Sequence, residues 1–178
     1  MKDNRKEFVF VIGKSEGMDQ DAMIKGINSI IDTQKNIKDE STYSLVFFNE
    51  AYKASAMGKR FNQIRKYNAK TYIPKGKSAL YDAMGFAITS VGDMLADTRE
   101  EDRPCQVCVI VIGESDNAST ECEYTVLDEM IKTQKYVYKW DFVFYGDGNT
   151  SFDIQKGGNL ANPERMFNEI NSYITSMR

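Results

Sequence analysis

Short, continuous apolar runs alternate with segments of helical periodicity through most of this chain. The runs are rich in β-branched and aromatic residues, which is typical of strands buried on both faces of a sheet. Between them, apolar residues recur at the spacing of one face of a helix. The alternation predicts an α/β sandwich, in which helices cover both faces of a mostly parallel central sheet. The predicted strands are Phe8–Ile12, Tyr43–Phe48, Val107–Ile112 and Phe142–Tyr145.

The remaining segments complete this pattern. Glu50–Met57 alternates apolar with polar residues, so we expect it to turn back near Asn49 and pair with the preceding strand as an antiparallel hairpin. A short helix is expected around Phe61–Lys66. No repeat or long linker divides the chain, so we expect one domain over residues 1–178. Longer helices are expected at Met23–Ile31, from Ser78 to Leu95, after a capping box of Thr120 and Glu123, and from the cap Asn162 to Met177.

Composition argues against several classes of function. The chain has no histidine, which removes the commonest general base and excludes Ser-His-Asp and Cys-His catalysis. Its net charge is −3 with both signs interspersed, so nucleic-acid binding is not expected. No apolar run approaches the roughly 20 residues that span a bilayer, and we expect no signal peptide because residues 1–7 are polar. We therefore expect a cytoplasmic protein with no membrane partner and with reduced thiols.

The cysteines are best explained as structural residues. Cys105 and Cys108 have the spacing of a redox or zinc pair, but they lie at the start of a predicted strand, where that spacing turns their side chains to opposite faces. Neither a histidine nor a second pair completes a zinc set. Core packing is therefore the favoured interpretation.

Two predicted strands end on glycine, at Gly13 and Gly113. In a parallel sheet the carboxyl ends of neighbouring strands lie together, and ligands bind beyond them. We call this surface the strand-end rim. The residues that it takes from these two strand ends are Lys14, Ser15, Glu16, Gly17, Glu114, Ser115 and Asp116.

Three segments on these elements resemble the signatures of the von Willebrand factor A domain. They are Gly13-Lys14-Ser15-Glu16-Gly17-Met18, then Gly76-Lys77-Ser78-Ala79-Leu80-Tyr81-Asp82-Ala83, and then Gly113-Glu114-Ser115-Asp116-Asn117. In that family they carry an Asp-x-Ser-x-Ser motif, a metal-binding Thr and a Thr-Asp-Gly motif. The resemblance, strongest to small stand-alone members of bacteria and phages, implies a Rossmann-like three-layer sandwich with one antiparallel edge strand. It also implies a metal-ion-dependent adhesion site at the strand ends, and the match of Ser78 to the metal-binding Thr adds Lys77 and Ser78 to the strand-end rim.

The chain departs from the family at the metal ligands. Both acidic anchors are replaced, by Gly13 and Gly113, and the second serine is replaced by Gly17. Only the hydroxyls of Ser15 and Ser78 remain. Because Mg²⁺ and Ca²⁺ need hard oxygen ligands that preferably include carboxylates, we expect a degenerate site and no metal cofactor.

The resemblance favours a non-enzymatic protein-interaction module, either an adaptor or a self-associating subunit, that binds an unidentified protein through the strand-end rim. Lys14 and Lys77 could replace the metal as the group that binds a partner's acid. The glycines could leave a shallow concavity for a partner's side chain.

Other hypotheses remain open for the same surface. Glu16, Glu114 or Asp116 could restore a weak metal site. Backbone N–H groups around Gly13–Met18 could bind a nucleotide or another small anion at a helix N-terminus. The least supported alternative is a metal-dependent hydrolase built on the three acids.

Overall fold

The computed structural model of the protein describes residues 2–147 and 151–178 and contains a six-stranded sheet. The strand order is β3-β2-β1-β4-β5-β6. All neighbouring strands run parallel except β2 and β3, which are antiparallel and place β3 at one edge. The strands are β1 (Lys2–Gly13), β2 (Thr42–Phe48), β3 (Tyr52–Arg60), β4 (Pro104–Glu114), β5 (Asp141–Asp147) and β6 (Gln155–Lys156).

Four helices cover the two faces of this sheet in the described residues. Residues of β1 alternate between the faces, so Phe8 and Ile12 pack with α1 and α4, whereas Val9 and Val11 pack with α2 and α3. Two apolar layers therefore enclose the sheet, which confirms the predicted α/β sandwich. The helices are α1 (Gln20–Gln34), α2 (Leu80–Asp97), α3 (Tyr124–Tyr136) and α4 (Pro163–Met177).

The segment after β3 differs from the prediction. The helix expected around Phe61–Lys66 is a single 3₁₀ turn at Phe61–Gln63. Beyond that turn, the side chain of Asn28 on α1 accepts a hydrogen bond from the Tyr67 amide at 2.8 Å and donates one to the Tyr67 carbonyl at 2.9 Å. These two bonds satisfy the backbone of Tyr67 outside a helix. The prediction of a longer helix was wrong because this contact with α1 is not visible in the local sequence.

Other boundaries shift by a few residues. The antiparallel hairpin is confirmed, but β3 begins at Tyr52 because Asn49–Ala51 form the turn. The short strand β6 was not predicted. The Gly-Asp-Gly-Asn sequence at 146–149 predicts a turn, but residues 146 and 147 still belong to β5, and residues 148 and 149 lie outside the described residues. Cys108 is fully buried in the core, as predicted, and Cys105 is half-buried. None of the described helices is long and apolar enough to cross a membrane.

Candidate functional site

The strand-end rim forms where three loops meet beyond β1 and β4. The loop before α2 crosses the end of β1, and the amide of Lys75 donates to the carbonyl of Lys14 at 2.8 Å. One residue further, the amide of Glu16 donates to the carbonyl of Gly76 at 2.9 Å. Because β1 and β4 are adjacent and parallel, the loop after β4 reaches the same place. The structure thus brings together the three segments that the sequence singled out.

The centre of the rim is a contact between Ser15 and Glu114. Ser15 is only 2% exposed, and its hydroxyl donates a hydrogen bond to the Glu114 carboxylate. That carboxylate lies against Gly17, where an added Cβ would stand 2.8 Å from the Glu114 Cδ. The absence of a side chain at Gly17 therefore makes room for the carboxylate. The Glu114 side chain therefore turns into the protein and binds the Ser15 hydroxyl, one of the two hydroxyls that remain from the adhesion motif.

Ser78 is also used inside the protein. It is 1% exposed, its hydroxyl donates to the backbone carbonyl of Glu114 at 3.3 Å, and its amide donates to the Asn117 side chain at 2.7 Å. These bonds tie the start of α2 to the loop after β4. Neither Ser15 nor Ser78 presents its hydroxyl on the surface.

The predicted concavity above the two glycines is filled, so that expectation was wrong. Phe48, the last residue of β2, is fully buried, and its ring covers both strand ends. A Cβ at Gly113 would meet the Phe48 Cζ at 3.2 Å, and one at Gly13 would meet it at 3.4 Å. On the other face of the sheet, the Tyr72 hydroxyl donates to the Gly13 carbonyl at 2.7 Å. Burial, and then the charge of Glu114, raise the pKa of Tyr72, so it is a neutral donor there.

Asp116 acts as a helix cap. Its carboxylate accepts from the Tyr81 amide at 3.1 Å and from the Ser119 hydroxyl at 2.5 Å. Ala79, the residue at the cap position of α2, offers no side-chain bond of its own. A carboxylate at a helix N-terminus also interacts favourably with the helix dipole. Asp116 therefore stabilises the start of α2.

Asp82, in the first turn of α2, binds the loop that leads into α3. It is 6% exposed, and its carboxylate accepts hydrogen bonds from the amides of Thr120, Glu121 and Cys122 at 3.0, 3.0 and 2.7 Å. These bonds hold residues 120–122 as a turn. The predicted capping box of Thr120 and Glu123 was therefore wrong: α3 begins at Tyr124 and has no side-chain cap.

The exposed part of the rim is smaller than predicted and contains one apolar residue that sequence reasoning missed. Lys14 is half-buried, as are Glu114 and Asp116. Ile73, which follows the buried Tyr72 in the loop before α2, is 51% exposed. Its only sequence signal is a large apolar residue before a proline in a polar loop. The rim residues that are exposed are Glu16, Gly17, Lys77 and Ser115.

The donor set at the rim does not match the usual preferences of a divalent cation. Glu114 supplies one carboxylate and Ser15 one hydroxyl, but the Ser78 hydroxyl is turned to a backbone carbonyl and Asp116 is bound to the start of α2. Within residues 2–147 and 151–178, no three acidic or cysteine side chains converge as a metal site would require. Mg²⁺ and Ca²⁺ sites normally collect more oxygen ligands than these two.

The anion-binding alternative meets a different obstacle. The amides of Lys14, Glu16 and Met18 already donate to the carbonyls of Phe48, Gly76 and Ser15. The Glu114 carboxylate beside Gly17 adds a negative charge at the same place. A phosphate would therefore find few free N–H donors and a repelling neighbour.

Comparisons with solved structures agree on the fold. No protein-family model and no curated protein sequence matches this chain. A mutant of the PilB minor pilin from Streptococcus sanguinis is similar with a TM-score of 0.61 at 11% identity over 96% of this chain and 61% of that protein. A von Willebrand factor type A protein from Catenulispora acidiphila is similar with a TM-score of 0.60 at 14% identity, over 95% of this chain and 42% of the other.

A third similar structure is proximal thread matrix protein 1 of the mussel byssus, with a TM-score of 0.60 at 12% identity over 96% of this chain and 46% of that one. The chain thus has a von Willebrand factor A-like fold. It spans between 42% and 61% of the length of these structures. Another structure of the mussel protein has a zinc-occupied metal-ion-dependent adhesion site. At these identities the likeness shows the fold alone.

Proposed function

We propose that this protein is a non-enzymatic, cytoplasmic interaction module that binds a protein partner at the strand-end rim without a divalent metal. The observation that carries the proposal is the position of Glu114. Its carboxylate is hydrogen-bonded to Ser15 and lies against Gly17, so the two positions that resemble the adhesion motif are occupied from within. A partner's acid would have no cation to bind there.

The exposed residues of the loop before α2 indicate what a partner would contact. Ile73 offers an apolar side chain, and the ammonium groups of Lys75 and Lys77 lie on the same exposed loop. An apolar anchor surrounded by charged residues is a common composition for a protein-binding surface. We propose that a partner places an apolar side chain on Ile73 and an acidic one near Lys77. Either a different protein or a second copy of this chain could supply these groups.

Affinity capture from the native host, with sedimentation equilibrium of the purified chain, tests this proposal. The Ile73→Asp/Lys77→Glu variant should lose the captured partner, or the self-association, whereas wild type should keep it in EDTA. Val126→Asp is a matched control, because Val126 is 50% exposed on α3. A complex that dissociates in EDTA and returns with Mg²⁺, or one that the rim variant retains, would contradict the proposal.

A further inference from the structure

The positive charges of this chain are concentrated in one segment. Residues 51–81, between Glu50 and Asp82, contain eight lysines and arginines and no acidic residue. The rest of the chain carries the other 15 of its 23 cations and all 26 acids, so the net charge of −3 conceals the asymmetry. The expectation against nucleic acid rested on that net charge. A block of one sign favours a partner of the opposite sign.

The segment comprises the edge strand β3 and the loop that follows it, which packs on the face of the sheet that α1 and α4 cover. In this loop the Tyr67 ring lies 5.1 Å from the ring of Phe47 on β2. In the antiparallel pairing, Lys53 lies opposite Phe47 and Lys59 opposite Tyr43. Residues directly opposite each other project to the same face of a sheet. Lys53 and Lys59 therefore project to the side on which the loop lies.

A groove of about 310 Å³ lies between β3 and this loop. Its lining includes Ser55 and Ala56 of β3 and Arg65, Lys66 and Thr71 of the loop. Among the described residues that line it, none is acidic. We call the surface around the groove the basic face. Its cations are Lys53, Lys59, Arg65, Lys66 and Lys70.

Most charges of the basic face are not neutralised by neighbouring acids. Among the described residues, Lys66 is the only one of its five cations that forms an ion pair, with Asp32 of α1 at 2.6 Å. The adjoining α1 and its two cap residues carry three acids and two lysines, an excess of one acid. The face therefore stays positive. At the end of β3, Arg60 lines a cavity with Asp39 and Glu40, so we do not count it in the face.

The exposed side chains of this surface suit a sugar–phosphate backbone. Between residues 53 and 71, every exposed residue except Ala69 is a lysine, arginine, serine, threonine, asparagine or glutamine. These residue types make many of the contacts of proteins to phosphate and sugar. None of the large apolar side chains in this range is exposed. A protein interface normally has an apolar centre, and a helix or loop that inserts into a membrane needs apolar residues too, so the composition favours nucleic acid.

We propose that the basic face binds the sugar–phosphate backbone of a nucleic acid without reading its bases. Six residues of β3 separate Lys53 from Lys59, at most about 20 Å, which is about the length of six base-pair steps. Acids on α2 and α3 lie on the opposite face of the sheet, and salt at about 0.1 M screens exposed charges beyond about 10 Å. The proposal does not depend on the strand-end rim or on Glu114.

Fluorescence anisotropy with a short labelled RNA strand and a short labelled DNA duplex tests the proposal. At least one of them should bind saturably at about 50 mM salt and about 100-fold or more weakly at about 200 mM, because five phosphate contacts release counterions. Lys59→Gln/Arg65→Gln removes two contacts at exposed positions. This variant should lower the slope of log K against log salt by about 2 and weaken binding at about 50 mM salt by about tenfold or more. The tighter of the two probes identifies the form of nucleic acid.

A matched variant controls for the loss of charge. Lys139→Gln/Lys156→Gln removes two cations at the other end of the sheet, where Lys156 lies exposed on the edge strand β6, and should bind as wild type does. The proposal is overturned if neither nucleic acid binds saturably, or if Lys59→Gln/Arg65→Gln binds it as wild type does. Equal affinity for polyglutamate or for phosphatidylserine vesicles would also overturn it.

A second copy of this chain is the remaining candidate for the basic face, because the rest of the chain is acidic. Sedimentation equilibrium of wild type and Lys59→Gln/Arg65→Gln separates the two occupants. Self-association that this variant loses, without nucleic-acid binding by wild type, would assign the face to a second copy and overturn the proposal. Nucleic-acid binding by a monomer would support it.

Discussion

The hydroxyl of Ser15 donates a hydrogen bond to the carboxylate of Glu114, and this contact joins the ends of the two central strands. It depends on Gly17, which leaves room for the carboxylate, and on a fold that aligns β1 with β4. The residues that depart from the adhesion motif therefore work together. Glu114 occupies the space at Gly17, and the ring of Phe48 occupies the space at Gly13 and Gly113.

The Ser15–Glu114 contact should be measurable as a coupling energy. Ser15→Ala removes a buried donor to a carboxylate and should lower the free energy of unfolding by about 1–2 kcal/mol. In the Glu114→Gln background the same change should cost about 1 kcal/mol less, since the charged acceptor is gone. Urea denaturation of wild type, the two single variants and the double variant gives this coupling energy. Ser172→Ala, at an exposed position of α4, is the control and should change stability little. Additive costs would show that the two side chains do not interact.

Packing of Phe48 on the strand-end glycines makes a second prediction. Gly113→Ala places a Cβ 3.2 Å from the Phe48 ring and should destabilise the fold by about 1–3 kcal/mol. Phe48→Leu removes the contacting atom, so the alanine should cost less in that background. Gly92→Ala is the matched control: nothing lies within 4 Å of its Cβ, and in a helix it should stabilise by up to about 1 kcal/mol. Chemical denaturation checks all three, and a neutral Gly113→Ala would disprove the packing argument.

The turn at residues 120–122 should depend on Asp82. Asp82→Asn leaves an amide that cannot accept three N–H bonds as the carboxylate does, so we expect a loss of about 2–4 kcal/mol. Hydrogen exchange of the amides of residues 120–122 should speed up more than exchange in β1. Asp93→Asn, on the exposed side of the same helix, is the control. Unchanged protection at residues 120–122 would be the contrary result.

A buried acid far from the rim should make stability depend on pH. Glu7 is 1% exposed, and burial raises its pKa to about 7, although the hydroxyls of Ser44 and Thr42 and the charge of Arg5 oppose the shift. The carboxyl group of Glu7 therefore binds a proton more tightly in the folded state than in the unfolded state, where its pKa is 4.5. The resulting stability is fully present below pH 4.5 and is lost as the pH rises through about 7.

The size of this change in stability follows from the pKa shift of Glu7. The difference between a pKa of 4.5 and one of about 7 corresponds to about 3 kcal/mol, because one pKa unit is worth 1.36 kcal/mol. Urea denaturation from pH 4 to 8 should show wild type losing stability relative to Glu7→Gln, which keeps a neutral hydrogen-bonding group at every pH. Glu129 is exposed on α3, so the stability of the Glu129→Gln variant should change with pH as that of wild type does. Parallel curves for wild type and Glu7→Gln would refute the assignment.

The sequence predicts the layers of this fold well because its strands are buried on both faces. Phe8–Ile12 and Val107–Ile112 are almost uniformly apolar, and burial in two core layers leaves no other place for them. The meeting of Ser15, Ser78 and Glu114 follows from the same topology, because neighbouring parallel strands end at the same edge. What could be predicted was therefore which segments converge.

The contacts made after convergence could not be predicted. Nothing around Phe48 indicates that its ring covers two glycines on other strands. The Thr120 and Glu123 pattern resembles a capping box, but the distant Asp82 carboxylate accepts the hydrogen bond of the Thr120 amide, which the Glu123 side chain would accept in such a box. In both cases a tertiary contact decides a local outcome, as propensity and motif reasoning cannot.

The most direct test of the central claim is a crystal soaked in Mn²⁺ and measured for anomalous scattering. The account predicts no anomalous peak at the rim, with the Glu114 carboxylate still hydrogen-bonded to Ser15. A peak with metal–oxygen distances to Ser15, Ser78 and Glu114 would contradict it, because the inward carboxylate would then be a ligand that rebuilds the metal site.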